Sequence, residues 1–340
     1  MPTVVDLFCG AGGLSLGFKR AGFTPVFAVD ADPWAIKTYR RNLGEHAVLT
    51  TIENINAQRM ADRVIWTTPE GVFETPLVDV LVGGPPCQGF SRLNRLARDD
   101  DPRNVLWKQY YRILKTVSPK VFVMENVPQL LQSHEATKLM RNAKARGYRI
   151  AKEILQAEKF GVPQRRRRAF VLGVLGGDAS LPVGNQAIIT VREAFEGLSL
   201  DPDGNNLHVA RNPTAISLRR YAAVPPGGNR FNLPRHLLPP CWIRKQTGST
   251  DVFGRMHYDK PAPTIRTEFF KPEKGRYLHP VAHRAVTLRE GARLQTFPDD
   301  FEFEGAYSQI ARQIGNAVPV ALASAVAQHV YSAYFRAADS

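Results

Sequence analysis

The sequence predicts an α/β protein: an open sheet with a nucleotide-type ligand site, followed by an irregular segment. Three observations carry this. Residues up to about 178 alternate β-like and helix-like segments, whereas roughly 180–283 is irregular and rich in Pro, Gly, Asn and Arg. The opening apolar run passes through a glycine turn into a helix-like segment, and an acidic residue follows about twenty positions on. A cysteine stands on a Gly/Pro turn just after a second apolar run, where open α/β folds bind ligands.

Taken in order, Val4–Phe8 reads as a strand, Cys9-Gly10-Ala11-Gly12-Gly13 as a turn and Leu14–Ala21 as a helix. Glycines there let the backbone approach a ligand closely. Pro25–Val29 reads as a second strand ending in Asp30, at the place where dinucleotide folds bind ribose hydroxyls. The pattern is not G-x-G-x-x-G, and no Gly-Lys-Ser/Thr follows, so an adenosine ligand without a pyrophosphate suits it better. Taken alone it is equally a tight structural turn. Val78–Val82 is a buried strand that leads into Gly83-Gly84-Pro85-Pro86-Cys87-Gln88-Gly89-Phe90-Ser91. A lone cysteine is usually a buried thiol, so the company of Cys87 decides its reading. Lys120–Met124 reads as another strand with Glu125-Asn126-Val127 at its carboxyl end. There a carboxylate is either a helix cap or a hydrogen-bond partner for a substrate ring. Gln164 leads into Arg165, Arg166, Arg167 and Arg168 and then a strand, Ala169–Val174, so Arg166 and Arg168 share one face. Pro319–Phe335 is Ala- and Val-rich and helix-like.

Composition bounds the function. The 340 residues are 44% hydrophobic, enough for one large domain with an insertion or for two domains. No apolar run reaches membrane-spanning length, and the N-terminus enters its first strand with no signal-peptide pattern. Cys9, Cys87 and Cys241 form neither a disulfide framework nor a metal-ligand spacing, so no metal is expected and a reducing, cytoplasmic setting is. A net charge of +14 favours a polyanionic partner, nucleic acid above all, over a merely solvated face. No internal repeat or low-complexity linker is present.

Together these segments resemble the DNA cytosine-5 methyltransferase family, along essentially the whole chain and in the family's order. Asp6-Leu7-Phe8-Cys9-Gly10-Ala11-Gly12-Gly13 resembles its first, S-adenosyl-L-methionine-binding motif, Pro85-Pro86-Cys87-Gln88 its nucleophile motif and Glu125-Asn126-Val127 its catalytic Glu motif. Gln164–Arg168 is similar to its Gln-x-Arg-x-Arg pattern, which selects Arg166 and Arg168. Arg289–Pro298 resembles the ninth motif and Gln313–Pro319 the tenth, while Asp101–Leu106 fills the place between the nucleophile and Glu motifs. In one departure, Asn54-Ile55 stands where the family often has an Asp-Ile pair that contacts adenine.

The resemblance implies a doubly wound, Rossmann-like methyltransferase sheet with a smaller irregular target-recognition domain. It assigns 1–178 and 308–340 to the catalytic, S-adenosylmethionine-binding domain and 179–307 to target recognition. Cys87, Glu125, Arg166 and Arg168 would act on a cytosine rotated out of duplex DNA, with Cys87 adding to C6. Asp6, Phe8, Gly10, Gly12, Gly13, Leu14, Asp30, Asn54, Pro85, Asn316 and Val318 would hold the cofactor. Gln88, Ser91, Arg92, Arg95, Arg230, Arg244, Arg255 and Thr264 would meet DNA, with Arg92–Asp100 as a closing loop. Phosphate contacts or plain solubility account equally for most of the recognition-domain arginines. The resemblance further implies a monomer, a restriction endonuclease of the same specificity as a partner, and a nucleoid-associated place in a prokaryote. Three rivals stand beside this reading. A tRNA cytosine-5 methyltransferase of the same family shares the motifs but has a smaller recognition region. A DNA-binding relative without catalysis would not need Cys87, Glu125 and Arg168. A nicotinamide-dependent dehydrogenase rests on the glycine turn alone.

Overall fold

Strands covered on both faces are buried along their length, and Thr3–Leu7, buried at all five positions, forms β1, an interior strand of the sheet. The computed structural model describes residues 1–86, 106–244 and 247–336. The chain divides into two units, residues 1–160, 167–185 and 317 onward forming the first, and residues 161–166 and 186–316 the second. These bounds differ from the expected ones in three places. The segments 161–166 and 308–316 belong with the second unit rather than with the sheet, and 179–185 belongs with the sheet rather than with the irregular unit.

In the first unit the remaining strands are β2 (Thr24–Asp30), β3 (Ala47–Leu49), β4 (Asn56–Arg59), β5 (Arg63–Thr68), β6 (Gly71–Pro76), β7 (Val80–Gly83), β8 (Val121–Asn126), β9 (Tyr148–Gln156) and β10 (Arg167–Leu175). Six of them form one sheet with β1, in the order β3-β2-β1-β7-β8-β10-β9. The strands β3, β2, β1, β7 and β8 run parallel, and β10 is antiparallel to both of its neighbours. Helices cover both faces, as a doubly wound sheet requires. On one face α3 (Leu106–Val117) and α4 (His134–Lys144) bury Tyr110, Ile113 and Leu139 in one core with Val5, Leu7, Phe27 and Leu81. On the other, α2 (Pro33–Leu43) packs Ile36, Tyr39 and Leu43 on Ala28 and Ala47. Asp32 caps α2 by accepting from the backbone of Trp34 and Ala35, with Pro33 preset in its first turn. A Cβ on Gly17 in α1 (Gly13–Arg20) would lie 2.4 Å from that of Ala323 in α10 (Val320–Tyr334), so only glycine allows this approach. The antiparallel meander β4-β5-β6, which sequence reading did not find, buries Trp66 flat against Phe27 at 4.4 Å.

The second unit is built differently. Its helices α5 (Val191–Ala194), α6 (Ala215–Ala223), α7 (Pro240–Arg244), α8 (Leu288–Leu294) and α9 (Tyr307–Asn316) are short, and its described β pairing is confined to isolated bridges. Backbone carbonyls that no ladder satisfies still need donors when buried. Arginines supply them: Arg255 bonds the carbonyls of Tyr221, Val224, His279 and Ala282, and Arg289 those of Asn206, Pro298 and Phe301. Arg284 adds a paired contact to the Glu290 carboxylate, at 2.6 and 2.8 Å.

The stretch Tyr307–Tyr334 is apolar enough to attract a membrane reading, with mean hydropathy 1.2. Pro319 breaks it into α9 and α10, and 67% of its most apolar window is buried inside the protein. At 15 residues, α10 is shorter than the roughly 20 that cross a bilayer.

Candidate active site

Open α/β sheets bind ligands outside the carboxyl ends of their strands, where the strand order reverses. Here β2 and β3 lie to one side of β1, and β7 and β8 to the other, so the reversal falls between β1 and β7. The two strand tips approach closely, and a Cβ on Gly83 would sit 2.4 Å from the carbonyl oxygen of Leu7.

On the β1 side the chain leaves the strand through Phe8 at φ 65, a left-handed conformation that costs a non-glycine residue about 1 kcal/mol or more. Gly10 (φ 54) and Gly12 (φ 94) continue the turn into Gly13 and Leu14 of α1. A Cβ on Gly12 would lie 2.5 Å from Leu43, whereas one on Gly10 would enter open space. The Gly10 amide donates to Asp30 Oδ2 at 2.9 Å and that of Asp32 to Oδ1 at 2.8 Å, which fixes the carboxylate at the tip of β2. Burial raises the Asp30 pKa from its ordinary value.

Asp6 lies beneath this turn, 1% exposed, and accepts from Ser15 Oγ at 2.6 Å. Its Oδ1 has no hydrogen-bond partner among the described residues, and burial pushes its pKa up to about 7. Behind Ser15 the chain of bonds runs to the Tyr39 hydroxyl and on to His46 Nε2, each at 3.0 Å. A bare, buried carboxylate oxygen beside an open glycine turn suits a ligand carrying positive charge. The residues present therefore fit a cationic nucleoside such as S-adenosyl-L-methionine.

Across the switch point, Glu125 stands next to last in β8 and Arg168 second in β10. The antiparallel register, with Phe170 opposite Glu125, brings the two side chains together, with Arg168 Nε 3.0 Å from Glu125 Oε1. A Cβ on Gly84 would lie 3.1 Å from Glu125 Oε2, so this carboxylate lies against the turn after β7. Asn126 Nδ2 donates to the Pro85 carbonyl at 2.8 Å and fastens that turn to β8. In the sequence Asn126 stands only as a letter of the Glu125-Asn126-Val127 motif, and its short amide beside the Glu is the signal for a positioning role.

The other expected site residues have surroundings of their own. Arg166 is 2% exposed within the second unit, where it donates to the carbonyls of Ile265 at 3.0 Å and Gly315 at 3.1 Å. The strand β10 begins at Arg167, so Arg166 falls in the irregular unit and Arg168 in the sheet. Arg230 and Arg255, expected to meet DNA, are 7% and 2% exposed. Arg255 is held by four carbonyls, while Arg230 donates to the Thr247 carbonyl and lies 4.6 Å over Phe231. Arg244 at the end of α7 is exposed, and the partly exposed Thr264 donates to the Arg165 carbonyl at 2.7 Å. Asn54 is exposed at the end of the 3-10 turn Ile52–Asn54, beyond the β3 tip, where Thr50 stands buried with its amide on the Asp30 carbonyl. Asn316 is exposed in the second unit, and Val318 is buried in the first. Cys87, Gln88, Ser91, Arg92 and Arg95 lie outside the described residues.

The fold and these strand tips define an open α/β sheet of the nucleotide-binding type, with a carboxylate–arginine pair against the turn after β7. The chain matches the family described as C-5 cytosine-specific DNA methylase over residues 2–332 and belongs to it. It is 37% identical to the Type II methyltransferase M1.HphI of Haemophilus parahaemolyticus over 96% of this chain and 86% of that protein. It is 33% identical to the Type II methyltransferase M.NgoFVII of Neisseria gonorrhoeae, over 94% and 83%. Among solved structures, an E. coli protein described as a prophage-encoded DNA modification methyltransferase superposes with TM-score 0.75 at 27% identity, covering 98% of this chain and 99% of that one. The chain is thus a DNA cytosine-5 methyltransferase at the level of the family, dependent on S-adenosylmethionine as the family is.

Proposed function

We propose that the protein methylates C5 of a cytosine rotated out of a specific duplex sequence, through a covalent bond between Cys87 and C6. Cytosine C5 is a poor nucleophile, and thiolate addition at C6 makes it enamine-like; once C5 carries the methyl group, a base takes the C5 proton and the Cys87 thiolate leaves C6, restoring the ring. Cys87 must be ionised and must approach from above the ring, which requires an extruded base. Glu125 holds the N3 edge and the exocyclic amine, offsetting the charge that develops as the thiolate adds. Arg168 orients Glu125 through their ion pair and bonds the base O2. The support that carries this reading is the Glu125–Arg168 pair, set against Gly84 three residues before Cys87.

S-adenosyl-L-methionine supplies an electrophilic methyl group when bound. Asp6 would face its positive charge, Asp30 its ribose hydroxyls, and the Gly10–Gly13 turn would pack against its body. The unit carrying the sheet is then the catalytic domain and the irregular unit the recognition domain. The names of the Type II relatives support a partner endonuclease acting on the same site, and one chain carrying every motif supports a monomer.

The test supplies methyl-labelled cofactor with duplex DNA and, separately, total tRNA, and then locates the label by sequencing. Label on C5 of cytosine in one short DNA motif is the expected result; label in tRNA alone would overturn it. Cys87→Ala should lose at least ~10⁴-fold in turnover while retaining DNA binding. Glu125→Gln should lower turnover ~10²-fold or more with cofactor affinity held. A matching loss of cofactor affinity would show that its role is misassigned.

A further inference from the structure

The second unit holds a pocket of about 250 Å³ whose lining includes Arg165, His257, Lys260, Arg276 and Asp251. Arg165, His257 and Lys260 are exposed, and none has a side-chain hydrogen bond or ion pair among the described residues. Arg276 is fixed by the carbonyls of Gly227 and Gly228 at 2.7 and 2.8 Å, and its Nε lies 3.8 Å from Asp251 Oδ1. One carboxylate therefore faces three cationic side chains and an imidazole.

The walls are rigid. The Arg165 amide donates to the Ala262 carbonyl at 2.8 Å, and the Arg165 carbonyl accepts from Thr264. A Cβ on Gly227 would lie 2.2 Å from the His257 ring, so only glycine admits the imidazole there. Like charges converge in a fixed concavity at a cost that an anion offsets.

We propose that this pocket grips one backbone phosphate of the DNA substrate, with Arg165 and Lys260 as charge-assisted donors and His257 as a third. The proposal rests on duplex DNA being the substrate. A base edge offers donors as well as acceptors, and Asp251, the pocket's one acid, is already turned to Arg276. A phosphate oxygen only accepts, which matches a lining of donors. Burial, with Lys260, Arg276 and Arg165 facing the ring, holds the His257 pKa below its ordinary value. An entering phosphate reverses that balance, so binding takes up a proton at His257 and strengthens as pH falls into the acid range.

The test measures duplex affinity against salt for the full-length protein, Lys260→Gln, Arg165→Gln, and Lys260→Arg. Each Gln variant should weaken binding about tenfold at physiological salt, equally on cognate and non-cognate duplexes, and reduce the salt slope by about 1. Lys260→Arg should restore both. His257→Gln should remove the acid-side gain in affinity. Unchanged salt slopes would overturn the proposal, as would a loss confined to the cognate sequence, which would mean that a base is being read. Wild-type protein that binds and methylates DNA while the variants behave identically would sink the pocket alone. Wild-type protein that methylates no DNA would instead remove the substrate reading beneath it.

Discussion

The two units satisfy their buried backbones by different means. In the first, strand ladders pair N–H with C=O, and side chains are left free for packing and for the site at the strand tips. In the second, long polar side chains do this work. Arg166, Arg255, Arg284 and Arg289 reach carbonyls far away in sequence, 149 positions in the case of Arg166 and Gly315. The guanidinium suits this because it presents five donors in a planar fork and keeps its charge. Arginine content in such a domain therefore measures internal carbonyl satisfaction as much as DNA contact.

The sharpest way to break this contrast is Arg255→Met, which leaves four carbonyls without their donor. We expect a loss of about 3–5 kcal/mol. In hydrogen exchange it should fall on the second unit, with the protection of the sheet retained. Protection lost equally from both units would mean that they do not differ in this way.

A smaller effect probes the first unit. Burial raises Asp6 from 3.8 to about 7, so the folded state keeps a proton that the unfolded state releases. Stability should then fall as pH rises from about 4 to about 7 and level off above that. Asp6→Asn should flatten this slope, measured by urea unfolding across that range. With a cationic ligand beside Oδ1 the carboxylate is favoured. Cofactor affinity should accordingly rise with pH through about 7, and calorimetry in two buffers should show proton release. Affinity independent of pH in the wild-type protein would remove Asp6 from the cofactor site.

The smallest effect is the control for the contrast. Arg219 is exposed on α6, and Arg219→Ala should change stability by less than about 0.5 kcal/mol. A loss comparable to that of Arg255→Met would mean that exposure does not separate the two kinds of arginine.

Much of the first unit was legible because its signals are local. The expected strands at Val4–Phe8, Pro25–Val29, Lys120–Met124 and Ala169–Val174 match β1, β2, β8 and β10 to within two residues at either end. Boundaries of that kind vary by as much between assignments. The meander β4-β5-β6 escaped because its polar, alternating strands carry no buried run. Glu125 and Arg168 were readable as motif letters, but their 3.0 Å pairing follows from the antiparallel register of β10 on β8.

By itself, then, the sequence determined the order of the sheet-forming runs, the glycine turn, the acid that ends β2 and the family to which these motifs belong. Each depends on residues within a few positions of one another, where periodicity and backbone freedom act. Only the tertiary structure decided which arginines face inward. Arg166 and Arg168 share a strand-like spacing, yet one is buried among the carbonyls of Ile265 and Gly315 and the other pairs with Glu125. The physical reason is that an orphaned carbonyl leaves no trace in its own sequence. The donor that finds it is chosen by packing across the fold.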